Sequence, residues 1–407
     1  MKTEELILSI TVILLAARVL GWLFQRIGQP RVVGEMTAGI VLGPSLFGRF
    51  CPGAFAFVFP SSSIPALTVL SQVGLLLFMF VVGLEVDLKR ILRQRFAVVM
   101  ISNVSIVLPL ALGIGLAVLL YPQFAGEQVA FFPFGLFVGT AMSVTAFPVL
   151  ARILKERGLL GTGLGSVAIS CAAIDDISAW LLLAVLTATA HSAQSWQHFA
   201  ITLILLVMFI AIMLVPIRRA LSFWESRYQP DGARVEFISS VILFMLAASF
   251  TTERLGVHAL FGAFMAGLVM PNNKRMIADV VDRIESISLA LLLPLFFALT
   301  GLRTRIDLLT DKTMFGYAAA IIATAVVGKL AGAAFAARIT GMGWKDSFSL
   351  GVLMNTRGLV ELVILNAGLD LGIVSPPLFS MMVLMALVTT FMTSPILSVM
   401  KIQRQTT

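Results

Sequence analysis

Apolar segments of about the length of a membrane-spanning helix follow one another along almost the whole chain. An α-helix needs about 20 residues to cross the hydrocarbon core of a bilayer. The sequence therefore predicts an all-α integral membrane protein with about 13 transmembrane helices in a single transmembrane domain, residues 1–407. The predicted spans are residues 4–26, 31–48, 64–85, 95–121, 131–153, 162–190, 197–220, 233–252, 256–271, 283–302, 313–338, 345–369 and 376–401.

The composition agrees with a membrane protein and excludes several other classes. Hydrophobic residues make up 59% of the chain and charged residues 12%, whereas soluble domains average about 25% charged residues. The net charge of +8 comes from basic residues spread over short connections, so we expect no nucleic-acid partner. Cys51 and Cys171 give neither a metal-site spacing nor a disulfide framework.

The basic residues of the connections predict the orientation and the symmetry of the chain. The connections after odd-numbered spans, together with the C-terminus, hold 20 lysines and arginines. The connections after even-numbered spans, together with the N-terminus, hold 6. The positive-inside rule therefore places the N-terminus outside and the C-terminus in the cytoplasm of a cell membrane. With an odd number of spans, spans 1–6 and 8–13 have opposite orientations, which is the inverted-repeat plan of many secondary transporters.

Seven ionisable residues fall clearly within the predicted spans and an eighth, Glu85, lies near the end of one, and a charge at the bilayer centre costs about 2.5–3.5 kcal/mol even on the gentler insertion scale. Asp175 and Asp176 lie near the middle of span 6, and Lys329 is the only lysine in the middle of a span. Adjacent helical residues point about 100° apart, so one aspartate can face a cation while the other pairs with Lys329. A purely structural Asp–Lys pair is the alternative. The other five are Arg18, Glu35, Glu85, Arg357 and Glu361.

Span 5 carries hydroxyl residues immediately before a proline. Ser143 and Thr145 precede Pro148, and a proline inside a helix removes a hydrogen bond and clashes with the preceding turn. The predicted interruption frees backbone carbonyls, which together with hydroxyls can replace the hydration shell of a small cation. An ordinary proline kink with the hydroxyls bonded back to the helix is the alternative.

Span 12 has a polar cluster in its middle, formed by Asn355, Thr356 and Arg357. Spans 5 and 12 hold the fifth place in each predicted half, and interrupted helices at matching positions point to the binding site of a transporter. Arg357 and Glu361 are four residues apart and are predicted to pair on one helix face. We expect this pair to stabilise the broken helix and the helix that it crosses.

Six sequence blocks resemble the membrane domain of the monovalent cation:proton antiporter-2 family, in the order found there and over nearly the whole chain. Several are especially similar to plant cation/proton exchangers and to the membrane part of glutathione-gated potassium efflux systems. The blocks are QPRVVGEMTAGIVLGPSLFG, FMFVVGLEVDLKR, MSVTAFPVLARIL, AAIDDISAWLLLA, LLLPLFFALTGLRT and LMNTRGLVELVILNAGL.

The resemblance implies a homodimer with the sodium/proton antiporter fold, in which two discontinuous helices cross near the ion site. Dimerisation and scaffold helices correspond to residues 1–90 and 228–303, mobile core helices to 91–190 and 312–402, and a linker helix to 191–227. Its potassium efflux and plant members carry soluble regions that follow the membrane domain. This chain ends at Thr407, so we expect no cytosolic regulatory domain on it.

The resemblance also assigns roles to individual residues. Asp176 corresponds to the second acid of the paired motif, the expected ion carboxylate, and Asp175 to the first, where many members have Asn or Gln. Lys329 matches the family lysine, and an aspartate at the first position is associated with electrogenic exchange. Thr145 and Ser143 are the next candidates, as hydroxyl ligands of a monovalent cation or as organisers of the break.

The expected function is secondary active exchange of Na⁺ or K⁺ for H⁺ by alternating access. Burial disfavours the charged form of a carboxylate, so Asp176 can hold a proton or a dehydrated cation but not both. If Asp175 also exchanges a proton, two protons move per cation and the cycle carries charge. We expect no enzymatic activity and no cofactor besides the transported ions.

Three other functions remain as alternatives. A Na⁺-coupled symporter of an organic solute can use the same fold, and a passive cation channel would carry a flux independent of the pH gradient. An intramembrane aspartyl protease would need its two acids on different helices, whereas Asp175 and Asp176 are neighbours on one.

Overall fold

The structure is a computed structural model of the chain, and it describes residues 3–85, 96–127, 129–159, 162–191, 196–225, 234–271, 281, 283–309 and 311–400. Within these ranges most residues are helical and the connections are short. Ala125 and Val374 form an isolated antiparallel bridge between two connections. The all-α class predicted from the apolar segments is confirmed.

Nine helices cover the first half of the described chain: seven lie at the predicted spans, and two short ones lie at the end of the second span and before the start of the third. They are α1 (Thr3–Arg26), α2 (Arg31–Leu42), α3 (Phe47–Phe50), α4 (Pro52–Val58), α5 (Ile64–Glu85), α6 (Phe96–Phe124), α7 (Phe131–Ser143), α8 (Phe147–Glu156) and α9 (Gly163–His191).

The second half contains nine further α-helices with given bounds, two π-helical turns and a short 3₁₀ turn among its described residues, and residues 283–287 are also helical. The α-helices are α10 (Trp196–Ile212), α11 (Arg218–Glu225), α12 (Arg234–Arg254), α13 (Ala259–Val269), α14 (Leu293–Arg303), α15 (Lys312–Ile339), α16 (Trp344–Met354), α17 (Leu359–Asp370) and α18 (Pro376–Val399). The π-helical turns, Met213–Ile217 and Ser288–Leu292, join α10 to α11 and lead into α14, and Ile306–Leu308 is the 3₁₀ turn.

The described residues form ten helices long and apolar enough to cross a membrane, or eleven if the bent pair α16 and α17 is one span. The predicted count of thirteen is not confirmed, because the helices at two predicted spans are short. Helix α2 has 12 residues and ends before Gly43 and Pro44, and α13 has 11 residues and ends before Pro271. Proline cannot continue a helix, and both helices end short of the about 20 residues that a membrane span needs.

Both predicted helix interruptions are present. Helix α7 ends at Ser143, Val144 and Ala146 have extended backbone, and α8 begins at Phe147 with Pro148 in its first turn. A proline is tolerated there because an N–H in the first turn of a helix has no acceptor within the helix, so the missing N–H of proline costs no hydrogen bond. Helices α16 and α17 are separated by residues 355–358 and bent by 42°.

The chain divides into two compact units. The first comprises residues 1–63, 93–182 and 297–407, and the second comprises 64–92 and 183–296. Asp175, Asp176 and Lys329 all belong to the first unit. The scaffold and core ranges expected from the resemblance are defined by which helices move, and this division stays a prediction.

Helix α15 packs against α6 at a glycine that precedes Lys329. A Cβ atom placed on Gly328 would lie 2.9 Å from Pro109 Cα, closer than packed side chains tolerate. Gly316, on the same helix, has no atom within 4 Å of such a position. The close approach of α15 and α6 therefore depends on Gly328, in agreement with the role of small residues between membrane helices.

We expect Gly328→Ala to lower the thermal stability of the purified protein, because the added methyl meets backbone and overpacking costs about 1–3 kcal/mol. Gly316→Ala is the matched control on the same helix and should leave the melting temperature unchanged or slightly higher. Tryptophan fluorescence during heating in detergent measures both. Equal melting temperatures for the two variants would contradict the close packing.

Candidate functional site

Asp175 lies on α9 and is held by hydrogen-bond donors from three other segments. Its carboxylate accepts from Ser102 Oγ at 2.7 Å on Oδ1, and from Lys329 Nζ at 2.7 Å and Thr145 Oγ1 at 2.8 Å on Oδ2. Ser105 Oγ lies 3.4 Å from Oδ2. The side chain is buried, and both oxygens have donors, so this carboxylate is satisfied as a charged group.

Lys329 lies on α15 and its ammonium group is fully buried. It forms the predicted ion pair with Asp175 and also donates to the backbone carbonyls of Ser105, at 3.0 Å, and Ser143. Ser143 is the last residue of α7, where helix carbonyls have no partner within the helix. A cation at this end is also favoured by the helix dipole.

Arg357, in the break between α16 and α17, caps the same helix end. Its Nη1 and Nη2 donate to the carbonyls of Ala141 and Met142, each at 2.5 Å. Its own backbone N–H donates to Thr390 Oγ1 at 2.9 Å, and the same hydroxyl lies 2.8 Å from the Arg357 carbonyl. Two buried cations, Arg357 and Lys329, thus bond to the last three carbonyls of α7.

The two breaks meet through Thr145 and Ala146. The Ala146 N–H donates to the Thr356 carbonyl at 3.0 Å, and Thr145 Oγ1 lies 2.7 Å from the Met354 carbonyl. The single proton of the Thr145 hydroxyl serves either Met354 or Asp175 at one time. Thr145 therefore joins the carboxylate cluster to the other broken helix.

Asp176 has an environment unlike that of Asp175. It is 0% exposed, and its Oδ1 lies 3.5 Å from the backbone N of Phe147, the first residue of α8. Its Oδ2 has no hydrogen-bond partner among the described residues. A helix N-terminus favours an anion, but a buried oxygen without a donor is costly. This carboxylate is therefore suited to hold a proton or a cation.

The remaining predicted site residues lie around the breaks. The Ser143 hydroxyl donates to the Thr140 carbonyl at 2.9 Å, so its carbonyl, rather than its hydroxyl, faces Lys329. The Thr356 hydroxyl donates to the carbonyl of Leu353, near the end of α16. Asn355 is buried and its Oδ1 has no hydrogen-bond partner in the described part of the chain. Their roles toward an ion stay predictions.

The other ionisable residues of the predicted spans separate into paired and exposed ones. Glu361 Oε2 lies 3.4 Å from Arg357 Nη1, which is the predicted pair. Glu35 pairs with Arg31 at 3.0 Å, and Arg18 is exposed. The side chain of Glu85 lies outside the described residues.

Residues 12–400 match the profile of a protein family described as "Sodium/hydrogen exchanger, transmembrane". The chain belongs to the sodium/hydrogen exchanger family. The match extends over both broken helices, α9 and the buried lysine of α15, so the whole candidate site lies within the family region.

Relatives and a solved structure agree with the family. This exchanger-family chain is 40% identical over 402 residues to the Na⁺/H⁺ antiporter NhaS4 of Synechocystis, covering 97% of this chain and 98% of that protein. It is 34% identical over 392 residues to K⁺/H⁺ antiporter 1 of Saccharomyces cerevisiae, covering 94% of this chain and 45% of the yeast protein. The chain thus spans about half the length of the yeast relative.

The fold is shared with a sodium/proton antiporter of known structure, MjNhaP1 from Methanocaldococcus jannaschii at pH 8. The TM-score is 0.71 at 13% sequence identity, with 98% of this chain and 99% of that chain covered. At this identity the similarity concerns the fold.

Sequence reasoning missed several groups of this exchanger-family site. Ser102 and Ser105 are three residues apart on α6, so they share one helix face, and this spacing is a signal that could have identified them. Thr390 and the carbonyls of Ala141 and Met142 carry no comparable signal. A backbone acceptor is present at every position of the sequence.

We expect Lys329→Met to destabilise the exchanger strongly, because it leaves Asp175 as an uncompensated buried charge, at a cost of about 3–5 kcal/mol. Adding Asp175→Asn to Lys329→Met should recover part of that loss, since both charges are then gone. Lys345→Met, at an exposed position, is the control. Thermal unfolding in detergent gives the comparison, and a double variant no more stable than Lys329→Met would contradict the ion pair's role.

Proposed function

We propose that this chain exchanges Na⁺ or K⁺ for H⁺ across a membrane, with the cation and the proton competing for Asp176. The observation that carries the proposal is the buried Asp176 carboxylate, whose Oδ2 has no hydrogen-bond partner among the described residues. The neighbouring Asp175 is satisfied by serine, threonine and lysine donors. Membership of the family and the names of the relatives support the same function.

The proposed cycle alternates the access of one carboxylate between the two sides. When Asp176 releases its proton to one side, a cation binds there, and a proton displaces the cation after the site has opened to the other side. Asp176 is fully buried in this structure, so both exchange steps use conformations that open it to water. The movement is assigned to the core ranges 91–190 and 312–402 against the scaffold ranges 1–90 and 228–303.

The broken helices supply the remaining chemistry of the proposed site. Hydroxyl and carbonyl oxygens of Thr145 and Ser143 are the candidates to replace water around the cation, beside the carboxylates of Asp176 and Asp175. Lys329 holds Asp175 in place and would change its bonding as the site opens. Pro148, Asn355, Thr356, Arg357 and Glu361 support the two breaks.

The proposal includes an assembly and an orientation. The protein is assigned as a homodimeric, multi-pass transporter of a cell membrane, with its N-terminus outside and its C-terminus in the cytoplasm. The distribution of basic residues, 20 on one side and 6 on the other, supports the orientation. The transported ions are the only non-protein groups that the proposed cycle uses, and the proposal includes no catalysis.

We expect Asp176→Asn to abolish cation-dependent proton flux, because an amide cannot exchange a proton with a cation. The protein is reconstituted in liposomes with a pH-sensitive dye, and Na⁺, K⁺ or choline is added outside. Asp346→Asn is the same chemical change at an exposed position of α16 and should transport normally.

Full proton flux in Asp176→Asn would remove Asp176 from its role. If the cation crosses without moving protons in the wild type, a symporter or a channel replaces the exchanger. A channel is recognised by a cation flux that does not respond to the imposed pH gradient.

A shared site also predicts the pH dependence of the exchange. Competition with the Asp176 proton should raise the apparent KM for the cation at least about tenfold per pH unit on the acidic side, by mass action, without changing the rate at saturating cation. Initial rates measured over a pH series, with equal pH on both sides of the membrane, give both quantities. A constant KM with a falling maximal rate would contradict competition.

A further inference from the structure

Glu361 is a second buried carboxylate whose oxygens have no hydrogen-bond partner in the described part of the chain. It lies in the first turn of α17 and is 0% exposed. Neither Oε1 nor Oε2 has a hydrogen-bond partner within the described ranges. In this respect Glu361 resembles Asp176 and differs from Asp175.

The cation beside Glu361 is bound mainly to other groups. Arg357 Nη1 and Nη2 donate to the Ala141 and Met142 carbonyls at 2.5 Å each, while Nη1 lies 3.4 Å from Glu361 Oε2. In the Arg31–Glu35 pair, which has the same four-residue spacing, the ion-pair distance is 3.0 Å, from Arg31 Nε to Glu35 Oε1. Arg357 is therefore fixed by α7, and Glu361 is its weakly bound partner.

Protonation has different consequences at Asp175 and at Glu361. A proton on Asp175 would weaken the hydrogen bonds from Ser102, Thr145 and Lys329, and hydrogen bonds to charged groups are stronger than those between neutral groups. A proton on Glu361 breaks no hydrogen bond that the structure contains, and it supplies a donor where the carboxylate has none. The charged groups that act on Glu361 are Arg357 and Lys329.

We propose that Glu361 is a second proton-binding group of the exchange cycle, a role that rests on the proposed function. An O–H bond forms on a Glu361 oxygen with a proton taken from the side to which the site is open, and it breaks to release that proton on the other side. No other covalent bond changes. The coupled second proton is thus placed on Glu361 rather than on Asp175.

The contacts link Glu361 to the cation site. When Glu361 is ionised, it attracts Arg357. When Glu361 is protonated, this attraction is lost and the guanidinium of Arg357 bonds only to the carbonyls of α7. The last carbonyl of α7, that of Ser143, bonds to Lys329, which holds Asp175 next to Asp176. The charge on Glu361 therefore acts on the end of the broken helix that surrounds the ion.

The test counts the protons that a cation displaces from the purified protein. NaCl or KCl is added in weakly buffered detergent solution with a pH indicator, and choline chloride controls for ionic strength. Glu361→Gln should release about one proton fewer per chain than the wild type, since a carboxyl carries one proton. Glu35→Gln removes the acid from the matched Arg–Glu pair of α2 and should release the wild-type number.

Each outcome decides between the two proposals. An unchanged proton count and an unchanged pH profile in Glu361→Gln would overturn the role of Glu361, while the exchange itself stands. No proton release from the wild type would instead overturn the proposed function. If Glu361→Gln does not fold, Glu361→Asp keeps a carboxyl and must show the wild-type count, and a count lowered by about one in that variant contradicts the proposal.

Discussion

The site depends on which groups donate hydrogen bonds to the backbone carbonyls at the interrupted end of α7. Ala141, Met142 and Ser143 are buried, and a helix end in a membrane has no water to bond to. Two cations from distant segments, Arg357 and Lys329, bond to these three carbonyls. Lys329 pairs closely with Asp175, and Glu361 lies 3.4 Å from Arg357. The break, the cations and the acids therefore form one network.

This network separates the tasks of the two neighbouring aspartates. Because adjacent helical residues point in different directions, Asp175 faces α6 and α15 while Asp176 faces the first residue of α8. Asp175 is bound on both oxygens and acts as part of the framework. Asp176 stands at a helix N-terminus with one oxygen that has no hydrogen-bond partner among the described residues, and the proposed function assigns the exchange of proton and cation to it.

Much of this arrangement could be predicted from the sequence, because charges stand out in apolar segments. The interruptions before Pro148 and at Asn355, the Asp175–Lys329 pair and the Arg357–Glu361 pair were all expected and are present. The count of thirteen spans is not confirmed, because α2 and α13 are shorter than a membrane span. The backbone partners of Arg357 and Lys329, and the unequal bonding of the two aspartates, depend on tertiary contacts that no local pattern encodes.

The most direct measurement of the central claim is infrared difference spectroscopy of the purified protein as choline is replaced by Na⁺ or K⁺. Competition at Asp176 predicts that cation binding removes a protonated-carboxyl band, and that this band is absent from Asp176→Asn. A cation that binds while every protonated-carboxyl band persists would contradict the account, because the proton and the cation would then occupy separate sites.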